Sequence, residues 1–254
     1  MACIKALLEQ GADALHGHSC SPALDASVLL AFVLERESVY LRTWPEREVE
    51  HSALLQFQQL INQRCSGQPI AYLVGYKEFW DYRFNVDQHT LIPRPETELL
   101  VELALQQLPH QQPLNIADLG TGSGAIAITL GKQCPEWNVY ATDLSAKALQ
   151  RAQSNAQRLD ANNVRFAQGA WFKALDKAVS DKQALGKFDA IISNPPYIAA
   201  DDPHLSQQVA DSEPEQALIS AQQGYADLHQ IIAGAPAYLK SGAWLMLEHG
   251  FEQG

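Results

Sequence analysis

A small helical bundle followed by a doubly wound parallel α/β sheet is the architecture this sequence predicts, and three observations predict it. Residues 1 to about 75 carry apolar side chains at helical spacing, a short aromatic-rich stretch follows, and from Pro95 onward helices alternate with short apolar strands. The last pattern is the one that parallel strands joined by helical crossovers leave in a chain.

Taken in order, residues 23–36 place Leu24, Val28, Leu29, Phe32 and Val33 three or four apart behind a Ser21-Pro22 start signal, which predicts an amphipathic helix. A second helix is predicted from Pro45, with Leu54, Leu55, Phe57 and Ile61 as its core stripe and Gly67 as its stop. Residues 78–87 hold Phe79, Trp80, Tyr82 and Phe84, residues that favour strand, so a hairpin should link the bundle to the rest. The domains read as 1–75 for the bundle, 76–94 for the hairpin linker and 95–254 for the α/β domain. Within the last, helices are predicted at 95–108, 124–132, 145–159 and 225–239. Strands are predicted at 114–119, 137–142, 163–167, 188–193 and 243–248.

Composition limits the function. With 18 Lys and Arg against 29 Asp and Glu the net charge is −11, spread over both halves of the chain. A protein gripping nucleic acid directly usually shows a basic face to phosphates. The longest apolar run, 28–34, falls far short of the ~20 residues a membrane helix needs, and Glu9 interrupts any leader-like core. The expectation is a cytoplasmic chain without a membrane partner. Cys3, Cys20, Cys65 and Cys134 form no C-x-x-C pair and the eight histidines show no ligand spacing, so reduced thiols and no metal are expected.

Between the first strand of the α/β region and its helix stand Gly120, Thr121, Gly122, Ser123 and Gly124. Glycines at such a turn let a ligand approach the backbone beside a helix N-terminus. A dinucleotide and a bare turn are both compatible with the loop. A zwitterionic amino-acid end attached to a sulfonium suits it better, because the backbone meets a carboxylate while an acid such as Asp118 meets an ammonium. Asp143, about 20 residues on at the end of the next strand, is placed to accept from ribose hydroxyls or to cap the following helix.

Asn194, Pro195, Pro196 and Tyr197 follow the strand at 188–193. Two prolines stiffen the loop and leave its carbonyls free to accept. An amide or aromatic-amine nitrogen is a poor nucleophile until both its N–H bonds are held. The Asn194 side-chain oxygen and the Pro195 carbonyl can each take one hydrogen, and Tyr197 can pack on the flat face of the group. Asn194 is therefore the candidate catalytic residue and the four together the candidate acceptor site.

At these residues the chain resembles class I S-adenosylmethionine-dependent methyltransferases, and within them the peptide chain release factor glutamine methyltransferases, the PrmC/HemK family. The resemblance runs through the segments at 67–75, 91–98, 118–128 and 194–198, the Glu213-Pro214 and Ala217-Leu218 pairs, and Leu247-Glu248-His249-Gly250. It implies a Rossmann-like sheet and S-adenosyl-L-methionine as cofactor, with S-adenosyl-L-homocysteine as product. It also implies methyl transfer to the side-chain amide of the Gly-Gly-Gln glutamine of release factors, the bundle choosing the substrate. By position, Gly120 to Gly124 would cradle the methionine part, Asp143 the ribose, Trp171 the adenine, and Asn194 would face both cofactor and glutamine. Gly169-Ala170 stand before Trp171-Phe172 where relatives often carry Ser-Asp, which removes a carboxylate from the adenine side. The family also continues into a final helix and hairpin, so an end at Gly254 reads as shortened.

Three other function classes compete with this one. A nucleic-acid adenine amino methyltransferase would share the tetrapeptide but not the acidic charge. A nicotinamide dehydrogenase leaves Asn194 to Tyr197 without a task, and a non-catalytic binding module needs no complete tetrapeptide.

Overall fold

The computed structural model describes residues 2–176 and 187–254. It divides into two compact units, Met1–Gly75 and Tyr76–Gly254.

The first unit contains helices α1 (Ile4–Leu15), α2 (Pro22–Val33), α3 (Ser38–Thr43), α4 (His51–Cys65) and α5 (Ile70–Val74). Two short strands, β1 (Ala2–Cys3) and β2 (Glu48–Val49), pair antiparallel. That pairing corrects the second predicted helix: it starts at His51 because Glu48 and Val49 are held in the ladder. The predicted stripe of α2 is also displaced. Leu24 is 62% exposed, whereas Asp25, Ala26, Leu29 and Leu30 face inward. A carboxylate lies on the buried face because it is fully partnered. Arg64 Nε donates to Asp25 at 2.7 Å, Ser19 Oγ at 2.7 Å and Ser21 Oγ at 3.2 Å. On α4, Phe57 and Ile61 are buried as expected but Leu55 is 52% exposed.

The second unit opens with a hairpin of β3 (Tyr76–Phe79) and β4 (Tyr82–Asn85) across a two-residue turn. Phe79 and Phe84 meet edge to face, ring centres 6.0 Å apart, in the core. A 3-10 turn (Pro95–Thr97) leads into α6 (Glu98–Gln107). Then come β5 (Asn115–Leu119), α7 (Ala125–Gln133), β6 (Asn138–Asp143), α8 (Ala146–Arg158), β7 (Val164–Gln168) and β8 (Phe188–Ser193). The short helices α9 (Gln207–Ser212) and α10 (Glu215–Leu218) precede α11 (Ala226–Tyr238) and β9 (Leu239–Leu247). The five strands β5 to β9 form one parallel sheet in the order β7-β6-β5-β8-β9. β9 begins four residues before its predicted start, since Leu239 already pairs with Phe188 ahead of an irregularity in register.

Successive residues of each strand point to opposite faces, and both faces are covered. Ile116, Ala190 and Ile192 pack with Val101 of α6 and Ile126 of α7, while Ala117, Leu119 and Ile191 pack with Ile231 and Ala235 of α11. This two-sided burial is why the strands read as apolar runs. A fully buried isoleucine contributes about 1.5–3 kcal/mol. The chain winds outward from β5 through β6 to β7, then returns to β8 on the other side of β5. The carboxyl ends of β5 and β8 thus flank the topological switch point, where open α/β sheets leave a crevice.

Candidate active site

Both sequence motifs converge on that crevice. The glycine turn leaves β5 and is tied to the end of β6, with the Gly120 and Thr121 amides donating to the Thr142 carbonyl at 2.9 and 2.8 Å. Gly122 has φ +57°, and a Cβ built on it meets nothing within 4 Å, so this part of the turn faces open space. Gly124, at φ +86°, holds a backbone conformation that side chains rarely adopt, and a Cβ there would stand 2.6 Å from the tip of Ile128. Thr121 and Ser123 are buried.

Asp143, ending β6, accepts the Gly122 amide on Oδ2 at 2.9 Å and the Ser145 amide on Oδ1 at 2.8 Å. A carboxylate has about four acceptor positions, so two remain for hydroxyl groups. Burial pushes its carboxyl above the ordinary range, opposed by those amides. The cap of α8 is the neighbouring Ser145, whose hydroxyl accepts from the Ala148 amide at 3.2 Å. Asp118 corrects the expectation of an acid facing an ammonium: it is fully buried, lines neither cavity described below, and takes the Thr121 hydroxyl at 2.6 Å on Oδ2. Its Oδ1 has no hydrogen-bond partner among the described residues, and burial pushes the carboxyl up to about 7.

Gly120, Gly122, Asp143, Leu144, Ala170 and Trp171 line a cavity of about 260 Å³. A Cβ at Gly120 would lie 3.4 Å from the Trp171 ring, which places the indole against the glycine turn. Thr121, Ser123 and Gly124 do not line this cavity. A second cavity, about 730 Å³, is lined by Arg94, Pro195, Tyr197, Ile198 and others. Leu91, Asn194, Pro196 and Ala217 border both. The tetrapeptide therefore stands where the two spaces meet.

Residues that the motif chemistry left out hold it there. Asn194 Nδ2 donates to Thr97 Oγ1 at 2.9 Å, Thr97 Oγ1 donates to Glu248 Oε2 at 2.7 Å, and the Tyr197 hydroxyl donates to Glu248 Oε1 at 2.9 Å. Burial, reinforced by the Glu248 carboxylate, raises the Tyr197 phenol well above its usual range and keeps it a donor. Glu213, almost fully buried, accepts from the Ile92 amide at 3.0 Å and from Arg94 Nη2 at 2.6 Å, which fixes the segment that follows Leu91. Thr97, Glu213 and Glu248 all lie in segments that carried the resemblance, yet no local pattern links positions 97 and 151 residues apart.

Among the described residues no group of His, Cys, Asp and Glu could hold a metal ion, and no helix is long and apolar enough to cross a membrane. An open glycine turn, a carboxylate with spare acceptor positions and an indole wall form a slot suited to a nucleoside with hydroxyls and a flat ring. A fixed side-chain amide separates it from a larger space. On this sheet, that layout defines the class I S-adenosylmethionine-dependent methyltransferases.

Comparison with known proteins narrows the class. The profile of the PrmC N-terminal domain matches residues 6–75 and that of the methyltransferase small domain residues 96–217. The chain is 47% identical over 253 residues to a release factor glutamine methyltransferase of Aliivibrio fischeri, covering 99% of this chain and 86% of the relative. With one from Vibrio cholerae it shares 44% over 253 residues, covering 100% and 85%, and with one from Yersinia pestis 47% over 236 residues, covering 93% and 82%. The chain belongs to the release factor glutamine methyltransferase family.

Proposed function

We propose that this enzyme transfers a methyl group from S-adenosylmethionine to the side-chain amide nitrogen of a glutamine in peptide chain release factors, leaving S-adenosylhomocysteine. The observation that carries the reading is the position of Asn194, on the border of both cavities with its amide held by Thr97. Release factors act on the ribosome, which assigns the enzyme to the cytoplasm.

In this reading Gly120 and Gly122 present the open face of the turn to the methionine part of the cofactor, with Thr121, Ser123 and Gly124 shaping the turn from beneath. Asp143 accepts from the ribose hydroxyls with the positions its two amide bonds leave free, and Trp171 lies along the adenine. When bound, S-adenosylmethionine supplies an electrophilic methyl group on a sulfonium. The chain's own contribution is to make a weak nucleophile competent. Asn194 Oδ1 and the Pro195 carbonyl each hold one hydrogen of the glutamine NH2, Pro196 keeps the loop stiff, and Tyr197 supports the flat face of the amide. Orientation and stabilisation of the positive charge growing on nitrogen then lower the barrier. No general base is needed before transfer, and the nitrogen gives up one of its two protons to water once the methyl group is bonded to it.

Incubation of a release factor with the enzyme and labelled S-adenosylmethionine, followed by mass spectrometry, tests the assignment. One methyl on the Gly-Gly-Gln glutamine is the expected result. Label on the adenine amino groups of DNA, with none on the factor, would replace it by the nucleic-acid alternative.

A further inference from the structure

Asn194 ends in a carbonyl oxygen and an amino group, and only the oxygen can accept a hydrogen from an acceptor amide. Which of the two faces the acceptor is decided by residues that line neither cavity, Thr97 and Glu248. A carboxylate has no hydrogen to give, so both hydroxyls that reach Glu248 donate to it, Tyr197 at 2.9 Å and Thr97 at 2.7 Å. A threonine hydroxyl carries one hydrogen. With that hydrogen committed to Glu248, Thr97 Oγ1 can meet Asn194 only as an acceptor, and it takes the Nδ2 hydrogen at 2.9 Å. The amino group of Asn194 is thereby turned toward Thr97 and its oxygen left to the other side.

We propose that Thr97 and Glu248 are positioning residues of the methyl transfer, a directed hydrogen-bond chain that keeps the Asn194 oxygen turned to the acceptor nitrogen. The inference rests on the reading of Asn194 given above. Its ends are well anchored. Thr97 is buried, closing a 3-10 turn through its amide to the Arg94 carbonyl at 3.1 Å, and the Glu248 amide donates to the Ser193 carbonyl at 3.1 Å, one residue before Asn194. The chain thus joins the ends of β8 and β9 to the entry of α6. Without the hydroxyl, the competent orientation leaves the Asn194 Nδ2 hydrogen unpaired, and the flipped one, which presents N–H to N–H, becomes favoured by about tenfold. The competent fraction falls, and the rate falls with it.

Single-turnover methyl transfer to a release factor, beside calorimetry with S-adenosylmethionine, tests this. Thr97→Val, which keeps the shape, should slow transfer about tenfold or more while changing cofactor affinity less than about twofold. Thr97→Ser restores the hydroxyl and should return the rate to within about threefold of wild type. Glu248→Gln can donate as well as accept, so the direction of the chain is no longer imposed and transfer should slow in the same sense. A Thr97→Val enzyme at the wild-type rate, with Asn194→Ala slow, would overturn the positioning role and leave the proposed function standing. Thr97→Ser as slow as Thr97→Val would also overturn it. Wild-type rates in Asn194→Ala would remove the reading on which it rests. Should Thr97→Val fail to fold, a folded Glu248→Gln enzyme transferring at the wild-type rate is the overturning result.

Discussion

At the scale of the residue, Asn194 shows how a neighbour changes the meaning of a substitution. In the proposed reading Asn194→Ala deletes an acceptor for the glutamine N–H, and a loss of about 3–4 kcal/mol, or roughly a hundred- to thousandfold in single-turnover rate, is expected with cofactor affinity little changed. On chemistry alone Asn194→Asp is the gentler replacement, because it keeps an acceptor oxygen. The structure reverses that order: Asp at this position would leave Thr97, with one hydrogen, between two carboxylates. Asn194→Asp should transfer methyl groups no faster than Asn194→Ala, which stopped-quench measurement of both enzymes will show. Asp118 has its own signature. Its carboxyl is raised to about 7 in the folded protein against 3.8 in an exposed chain. The folded state therefore holds a proton the unfolded state has lost, and stability falls as pH rises from 3.8 toward 7, by at most about 1.4 kcal/mol per pH unit. In Asp118→Asn this slope should vanish. Urea unfolding of both proteins should show the variant gaining on wild type between pH 4 and 7, and by a constant margin above that.

At the scale of the element, the glycine turn is supported from α8 and from the hairpin at once. Asn155 is fully buried, donates to the Ser123 carbonyl at 2.9 Å and to the Asn85 carbonyl at 3.0 Å, and accepts from the Asn85 amide at 2.9 Å. Nearly all its bonding capacity is used on backbone groups of the turn and the hairpin. Asn155→Ala orphans those groups, and a loss of about 2–3 kcal/mol in unfolding free energy is expected. Because Ser123 adjoins Gly122, S-adenosylmethionine affinity measured by calorimetry should weaken in the same variant. An unchanged affinity would show that the turn keeps its form without this support. The sheet itself was legible from alternation, since two covered faces leave apolar runs. The short β1 and β2 pair was not, because two-residue strands carry no period.

At the scale of the whole molecule, residues 76–254 own both faces of their core, from Phe79 to Met246. A fragment lacking residues 1–75 should therefore fold and bind S-adenosylmethionine, yet methylate whole release factor poorly if the bundle selects the substrate. Equal rates for fragment and full chain would refute that division of labour. The sequence by itself determined the class of sheet, the place of the glycine turn and the tetrapeptide, because those are local: a period of apolar residues, glycines where a turn must open, prolines where a loop must be stiff. Only the tertiary structure decided that Asp25 rather than Leu24 faces inward on α2, that Asp118 lies beneath the turn instead of in the cavity, and that Thr97 and Glu248 orient Asn194. Each of those outcomes depends on a partner brought close by folding, Arg64 for Asp25, Thr121 for Asp118 and one carboxylate for two hydroxyls. Hydrogen-bond direction is a property of the assembled set and has no signal in any one residue.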